Sequence, residues 1–202
     1  NNLNTARGEL AGGGTQTSAL AFGGFTSPPD SMKAENESYN GTSWTEVADL
    51  NTARSDMGSS GTTTAALGFG GGNPRTGKTE SWNGSSWTEI ADLSTARSQL
   101  IGAGTQTAAL AFGGETPPVT GATEEFTGAG ADIGAWSTGN SLNTGREEFN
   151  IGGAGTQTAA LAFGGLTPPL TALTEKYNGT SWTEVGDMNT ARYSLGGAGT
   201  QT

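Results

Sequence analysis

The sequence predicts an all-β protein: a β-propeller of four-stranded antiparallel blades with four complete repeats and a partial fifth. Three observations predict it. The thirteen residues GAGTQTAALAFGG at 153–165 stand again at 102–114, with near copies at 12–24 and 59–71 and the half-copy GAGTQT at 197–202. Arg7, Arg54, Arg97, Arg146 and Arg192 recur every 43 to 49 residues, and Trp44, Trp87, Trp136 and Trp182 each stand ten residues before the next Arg. Apolar stretches are short and alternate with a period of two, whereas no 3.6-residue helical period is present.

Each unit reads as four extended segments. The first is the Gly/Thr-rich run after the Arg, such as GGAGTQT at 152–158. The second is AALAFGG at 159–165, where Leu161 and Phe163 alternate with Ala160 and Ala162. Both faces of this strand are apolar, one bulky and one small, as expected of a sheet whose bulky face nests against the Ala face of a neighbour. The third and fourth meet at SYNGTSWTEV, SWNGSSWTEI and KYNGTSWTEV. Asn-Gly between aromatic-bearing strands signals a tight hairpin with positive φ at both turn residues, so turns are expected at Asn40-Gly41, Asn83-Gly84 and Asn178-Gly179. The third unit reads EFTGAGADIGAW, five residues longer, and must carry a longer loop. Four such strands cannot form a core alone, but radial stacking of the sheets buries their faces. The chain is thus one repeat domain, 1–202, with approximate repeats 4–50, 51–93, 94–142, 143–188 and a partial repeat 189–202. It starts and stops inside a repeat, so a piece of a longer protein is expected.

Composition narrows the chemistry. There is no cysteine and no histidine, which removes disulfides, thiolate nucleophiles, imidazole bases and the commonest transition-metal ligands. A net charge of −10 opposes binding to phosphate backbones and anionic membranes. No apolar run approaches a membrane-spanning length. Nucleic acid and membrane are therefore not expected as partners, and neither cofactor nor metal is expected.

The order of double glycine (FGG at 22–24, 112–114 and 163–165), aromatic, Trp and Arg resembles the kelch repeat and its galactose-oxidase-like propeller relatives across all four units. The interval from Tyr or Trp to the following Trp is shorter than kelch repeats usually show. Galactose-oxidase copper chemistry needs histidine and a modified cysteine, so that activity does not carry over. The wording NGTSWTEVADLNTAR with GTQTAALAFGGETPP is also similar to repeat arrays in marine bacteriophage proteins.

The repeated Arg residues suit carboxylate or phosphate recognition, but one per unit argues for structure. Glu37, Glu80, Glu124 and Glu175, each two residues before the third-strand aromatic, are candidate partners in buried pairs. The four spaced tryptophans suit sugar stacking or packing, and their fixed distance to the Arg favours packing. Trp82 stands where other units have Tyr or Phe. Glu46, Glu89 and Glu184, with Asp49, Asp92 and Asp187, recur with the repeat, whereas a catalytic carboxylate pair would be singular; only Glu147, Glu148 and Asp132 in the irregular region offer a non-repeated set. Asn36, Asn40, Asn83 and Asn178 fit the glycosylation sequon, and GGGNPRTGK at 70–78 reads as a surface loop.

Between the double glycine and the third strand the units diverge, reading FTSPPDSMKAENESY, GNPRTGKTESW, ETPPVTGATEEF and LTPPLTALTEKY. Such loops build binding surfaces on rigid scaffolds, and Asp30, Lys33, Arg75 and Lys78 carry much of their charge. The expectation is a non-enzymatic structural or receptor-binding module of a phage tail fibre or other extracellular appendage. Its expected location is extracellular or on a virion, its partner is a protein or surface glycan, and self-association through the incomplete fifth blade is open to it. An intracellular kelch-type interaction adaptor and a carbohydrate-active propeller enzyme are the alternatives.

Overall fold

A computed structural model describes residues 2–128, 134–148, 154–197 and 199. The described residues form four four-stranded antiparallel sheets and one two-stranded ribbon, with no helix among them. Sheet 1 holds β1 (Ala11–Thr15), β2 (Ser18–Phe22), β5 (Asn36–Tyr39) and β6 (Trp44–Val47), with the ribbon β3 (Phe25–Thr26) and β4 (Ser31–Met32) in its variable loop. Sheet 2 holds β7 (Gly58–Thr62), β8 (Ala65–Phe69), β9 (Thr79–Trp82) and β10 (Trp87–Ile90). Sheet 3 holds β11 (Ile101–Gly104), β12 (Ala108–Phe112), β13 (Thr123–Thr127) and β14 (Ala135–Gly139). Sheet 4 holds β15 (Ala154–Thr156), β16 (Ala159–Phe163), β17 (Thr174–Tyr177) and β18 (Trp182–Val185).

Every sheet is a simple meander, and the first strands β1, β7, β11 and β15 neighbour one another in that order. Their glycine content has a steric cause. A Cβ on Gly102 of β11 would lie 2.0 Å from the Ser59 carbonyl oxygen of β7, so a side chain there would force the two strands apart.

The core consists of three inter-sheet layers built by the large/small alternation. Leu20 and Phe22 of sheet 1 pack on Ala66, Trp82 and Trp87 of sheet 2. Leu67 and Phe69 then pack on Ala109, Ala111 and Phe126, and Leu110 and Phe112 on Ala160, Ala162, Tyr177 and Trp182. Trp87, Trp136 and Trp182 also pack tilted or edge-on against the Phe of the preceding sheet, with centroids 4.7 Å apart for Phe22–Trp87, 5.0 Å for Phe69–Trp136 and 4.8 Å for Phe112–Trp182. Trp82 is ordinary packing of the same kind: it is buried and its indole N–H donates to the Thr63 carbonyl at 2.9 Å.

The Asn-Gly turns differ from the tight two-residue form. Glycine alone takes positive φ, 90° at Gly41, 93° at Gly84 and 87° at Gly179. The Asn side chain caps the loop instead, Asn40 Oδ1 accepting from the Thr42 and Ser43 N–H groups at 2.9 Å, and Asn83 and Asn178 do likewise. An Asx turn satisfies two loop donors, which gives a four-residue connection. In the third unit the longer loop runs between β13 and β14, and most of it, including Asp132, lies outside the described residues.

Candidate functional site

The repeated Arg residues sit in the framework. Arg7 Nη1 donates to Glu37 Oε1 at 2.6 Å, Arg54 Nη2 to Glu80 Oε1 at 2.8 Å, and Arg146 Nη1 to Glu175 Oε1 at 2.5 Å. Arg97 Nη2 lies 3.2 Å from Glu124 Oε1 without hydrogen-bond alignment. The second carboxylate oxygen accepts the backbone N–H of Asn4, Asn51, Ser94 or Asn143, each at 2.7 Å. The N/S-T-A/G-R motif is therefore one clamp: a backbone N–H and a guanidinium three residues apart seize one carboxylate of the same sheet's third strand. Burial pushes Glu37 up, but hydrogen bonds from Asn4, Arg7 and Thr5 outweigh it and leave the carboxyl below its ordinary range. Burial likewise lowers the pKa of Arg54, Arg97 and Arg146, and the facing carboxylate opposes it. Arg192 makes no ion pair among the described residues and is exposed.

The double glycine locks this clamp to the next sheet. Gly23 and Gly24 take φ of 65° and 110°, which turns the Gly24 N–H onto the Arg54 carbonyl at 2.8 Å. The same bond joins Gly71 to Arg97, Gly114 to Arg146 and Gly165 to Arg192.

The recurrent carboxylates also serve the scaffold. Asp49, Asp92 and Asp187 accept the N–H at the start of the third strand, from Asn36, Thr79 and Thr174 at 3.1–3.2 Å. Glu46, Glu89 and Glu184 are exposed, and Glu46 and Glu184 pair in register with Glu37 and Glu175 across their hairpins. The Asn36 sequon is fully buried, out of reach of any glycosyl transfer to the folded chain. Trp87 and Trp182 are buried between sheets, while Trp44 is half-exposed.

Of the loop residues, Asp30 is exposed, Lys33 pairs with Glu35 at 3.5 Å, and Lys78 pairs with Glu89 at 2.8 Å. Arg75 forms an ion pair with Glu115, the one among these that crosses from one repeat's loop to the next. Arg54 brings the loops of sheets 1 and 2 together, its N–H donating to the Lys33 carbonyl at 3.0 Å and its guanidinium to the Lys78 carbonyl at 2.8 Å. Lys33 and Lys78 therefore flank one framework residue on neighbouring sheets.

Sequence reasoning missed a chain of strained polar residues two positions after each Arg. Glu9, Asp56, Gln99, Glu148 and Ser194 all have φ between 53° and 55°. They are linked by backbone bonds from Asp56 N–H to Glu9 O at 3.1 Å, Gln99 N–H to Asp56 O at 2.9 Å, and Ser194 N–H to Glu148 O at 2.9 Å. Burial first, then the charges of Glu9, Glu148 and Glu115, push the Asp56 carboxyl up to about 6. Glu147 is raised by burial and by Glu115 and Glu148. The signal available in the sequence was a polar residue at every Arg+2 position. A cavity of about 490 Å³ lies along the first strands, lined by the glycine backbone of β1, β7 and β11 together with Ala19, Ala21 and Trp44. Among the described residues no acidic cluster has the arrangement of a metal site.

Repeated meanders with first strands side by side and apolar layers between sheets describe blades. The fold is propeller-like. The solved structure of YjhT is similar to this chain with a TM-score of 0.76 and 11% identity, covering 95% of this chain and 74% of that one. At that identity the likeness concerns the fold alone. No family model and no curated protein matches the sequence.

Proposed function

We propose that this chain is a non-enzymatic structural or receptor-binding module, a kelch-type propeller carried on an extracellular appendage such as a phage tail fibre. It engages a protein or surface glycan through the variable loops that join second to third strands. One contrast carries the reading. The Arg–Glu pairs that recur with the repeat are buried in the framework, whereas the loops that differ from repeat to repeat carry their charge at the surface, with Asp30 and Arg75 exposed and Lys33 and Lys78 half-buried. Function on such scaffolds resides in the loops.

The test is binding of the purified chain to arrayed bacterial surface polysaccharides and to intact cells. The double variant Lys33→Ala/Arg75→Ala is expected to bind several-fold more weakly while melting as the parent does. Retention on no surface, or retention untouched by changes in all four loops, would refute the reading.

A further inference from the structure

Each Asn-Gly turn gathers an electrophile, a nucleophile and two hydrogen-bond donors in one surface loop. Asn40, Asn83 and Asn178 lead from β5 to β6, β9 to β10 and β17 to β18, and all three are exposed. Two backbone N–H groups polarise the side-chain carbonyl of each. Asn40 Oδ1 accepts from Thr42 and Ser43 at 2.9 Å, Asn83 Oδ1 from Ser85 and Ser86 at 2.9 Å, and Asn178 Oδ1 from Thr180 at 2.9 Å and Ser181 at 2.8 Å. The residue that follows is a glycine with φ between 87° and 93°. Among the described residues the N–H groups of Gly41, Gly84 and Gly179 donate to no acceptor. Attack of that nitrogen on the Asn Cγ closes a five-membered ring, and glycine puts no side chain in its path.

The turn donors stand where such an attack needs them. As nitrogen adds to Cγ, negative charge gathers on Oδ1, and N–H groups already aimed at that oxygen stabilise the charge as it develops. Asn36, Asn51 and Asn143 lack this combination. They precede Glu37, Thr52 and Thr144, whose side chains hinder the attacking nitrogen. Their amide nitrogens are also held, Asn36 Nδ2 by the Ala48 carbonyl at 3.1 Å, Asn51 Nδ2 by Glu80 and the Trp87 carbonyl, and Asn143 Nδ2 by Glu175 and the Trp182 carbonyl.

We propose that Asn40, Asn83 and Asn178 are self-modifying sites, which the folded turns convert to aspartate and isoaspartate with water as the sole co-reactant. The glycine nitrogen bonds to Cγ, the Cγ–Nδ2 bond breaks, and Nδ2 leaves as ammonia with the proton that the glycine nitrogen gives up. The cyclic imide then adds water at one of its two carbonyls. Opening at Cγ gives aspartate, whose carboxylate keeps both turn donors in stronger, charge-assisted bonds. Opening at the main-chain carbonyl gives isoaspartate, which routes the backbone through Cγ and lengthens the loop by one carbon. Each conversion adds one negative charge, taking the chain from −10 to −13 when all three are complete. These charges appear away from the variable loops, because in a meander the third-to-fourth turn and the second-to-third loop lie at opposite ends of the sheet. Gly41 accordingly lies against Thr17 of the first-to-second turn. The inference therefore does not rest on the receptor-binding reading.

Peptide mapping by mass spectrometry of the 202-residue chain, held at neutral pH either folded or unfolded in guanidinium chloride, is the test. Asn40, Asn83 and Asn178 are expected to exchange NH2 for OH at least as fast in the folded chain as in denaturant, where the donors no longer sit on Oδ1. Asn36, Asn51 and Asn143 should stay intact in the folded chain. Thr42→Pro removes one donor from Asn40 and should slow its conversion several-fold, while Asn83 and Asn178 in the same chain keep their rates and so report an intact fold. Should those two rates change as well, the comparison with denaturant decides alone. Slower conversion in the folded chain than in denaturant, or an Asn40 rate untouched by Thr42→Pro, would overturn the proposal.

Discussion

Five arginines share one motif and meet two fates. Arg54 donates to Glu80, to the Gly70 carbonyl and to the Lys78 carbonyl from a fully buried position. Removing one partner of a buried pair strands the other charge, at a cost of about 3–5 kcal/mol. Arg54→Ala should therefore lower the denaturant midpoint strongly, while Arg192→Ala, at an exposed side chain with no ion pair among the described residues, should leave stability within about 0.5 kcal/mol of the parent. Equal effects would show that the clamp is not what holds Arg54. Asp56 gives the opposite sign. Its carboxyl, pushed up from 3.8 to about 6, is penalised once ionised, so its contribution weakens stability as pH rises through that window and vanishes below about 4. Asp56→Asn keeps an acceptor for the Ser55 hydroxyl, removes the repulsion from Glu9, Glu148 and Glu115, and suits positive φ better than most residues. It should stabilise the protein at pH 7 by about 1 kcal/mol after allowance for solvent screening, with parent and variant converging near pH 4; a gain unchanged at pH 4 would assign the effect to backbone conformation instead.

At the scale of strands, glycine marks where sheets converge. Gly102→Ala places a methyl group 2.0 Å from the Ser59 carbonyl and 2.7 Å from the Phe69 ring, so β11 must move off β7, at a cost of roughly 1–3 kcal/mol or more. Gly186→Ala meets nothing within 4 Å and serves as the control; parallel melting of the two variants would mean that the first strands do not press on one another. The strands themselves were legible in the sequence, because Leu161 and Phe163 alternating with Ala160 and Ala162 encode both the period of two and the order in which faces meet. The Arg–Glu pairing was legible too, since one carboxylate per repeat answers one guanidinium. The turn geometry was misread for a specific reason: Asn both tolerates positive φ and caps loops, and residue identity alone does not say which. Positive φ at Glu9, Gln99 and Glu148 was hidden, because nothing about Glu or Gln announces it; the next repeat's backbone imposes it through the bond from Asp56 to Glu9 and its counterparts. The Arg75–Glu115 pair joins loops that share no motif, so spacing gave no hint of it.

Across the whole molecule, stability is expected to run along the repeats as it does in any array where each unit touches only its neighbours. Among the described residues sheets 2 and 3 are packed on both faces, whereas Ala19, Tyr39 and Trp44 of sheet 1 and Leu161 and Phe163 of sheet 4 are only half-buried. Opening an end sheet breaks one apolar layer; opening a central sheet breaks two. Hydrogen exchange at dilutions that keep copies apart should therefore find the amides of β8 and β12 slowest, with those of β5, β6, β17 and β18 at least about tenfold faster, a difference of roughly 1.4 kcal/mol in opening free energy. The backbone bonds from Asp56 to Glu9 and from Gln99 to Asp56 work against this gradient by tying sheets 1, 2 and 3, so protection at Asp56 and Gln99 should exceed what their half-exposed side chains suggest. Uniform protection from sheet 1 to sheet 4 in the monomer would require both end faces to be covered within one chain. The Trp44 and Phe163 faces would then belong to a ring closed on itself.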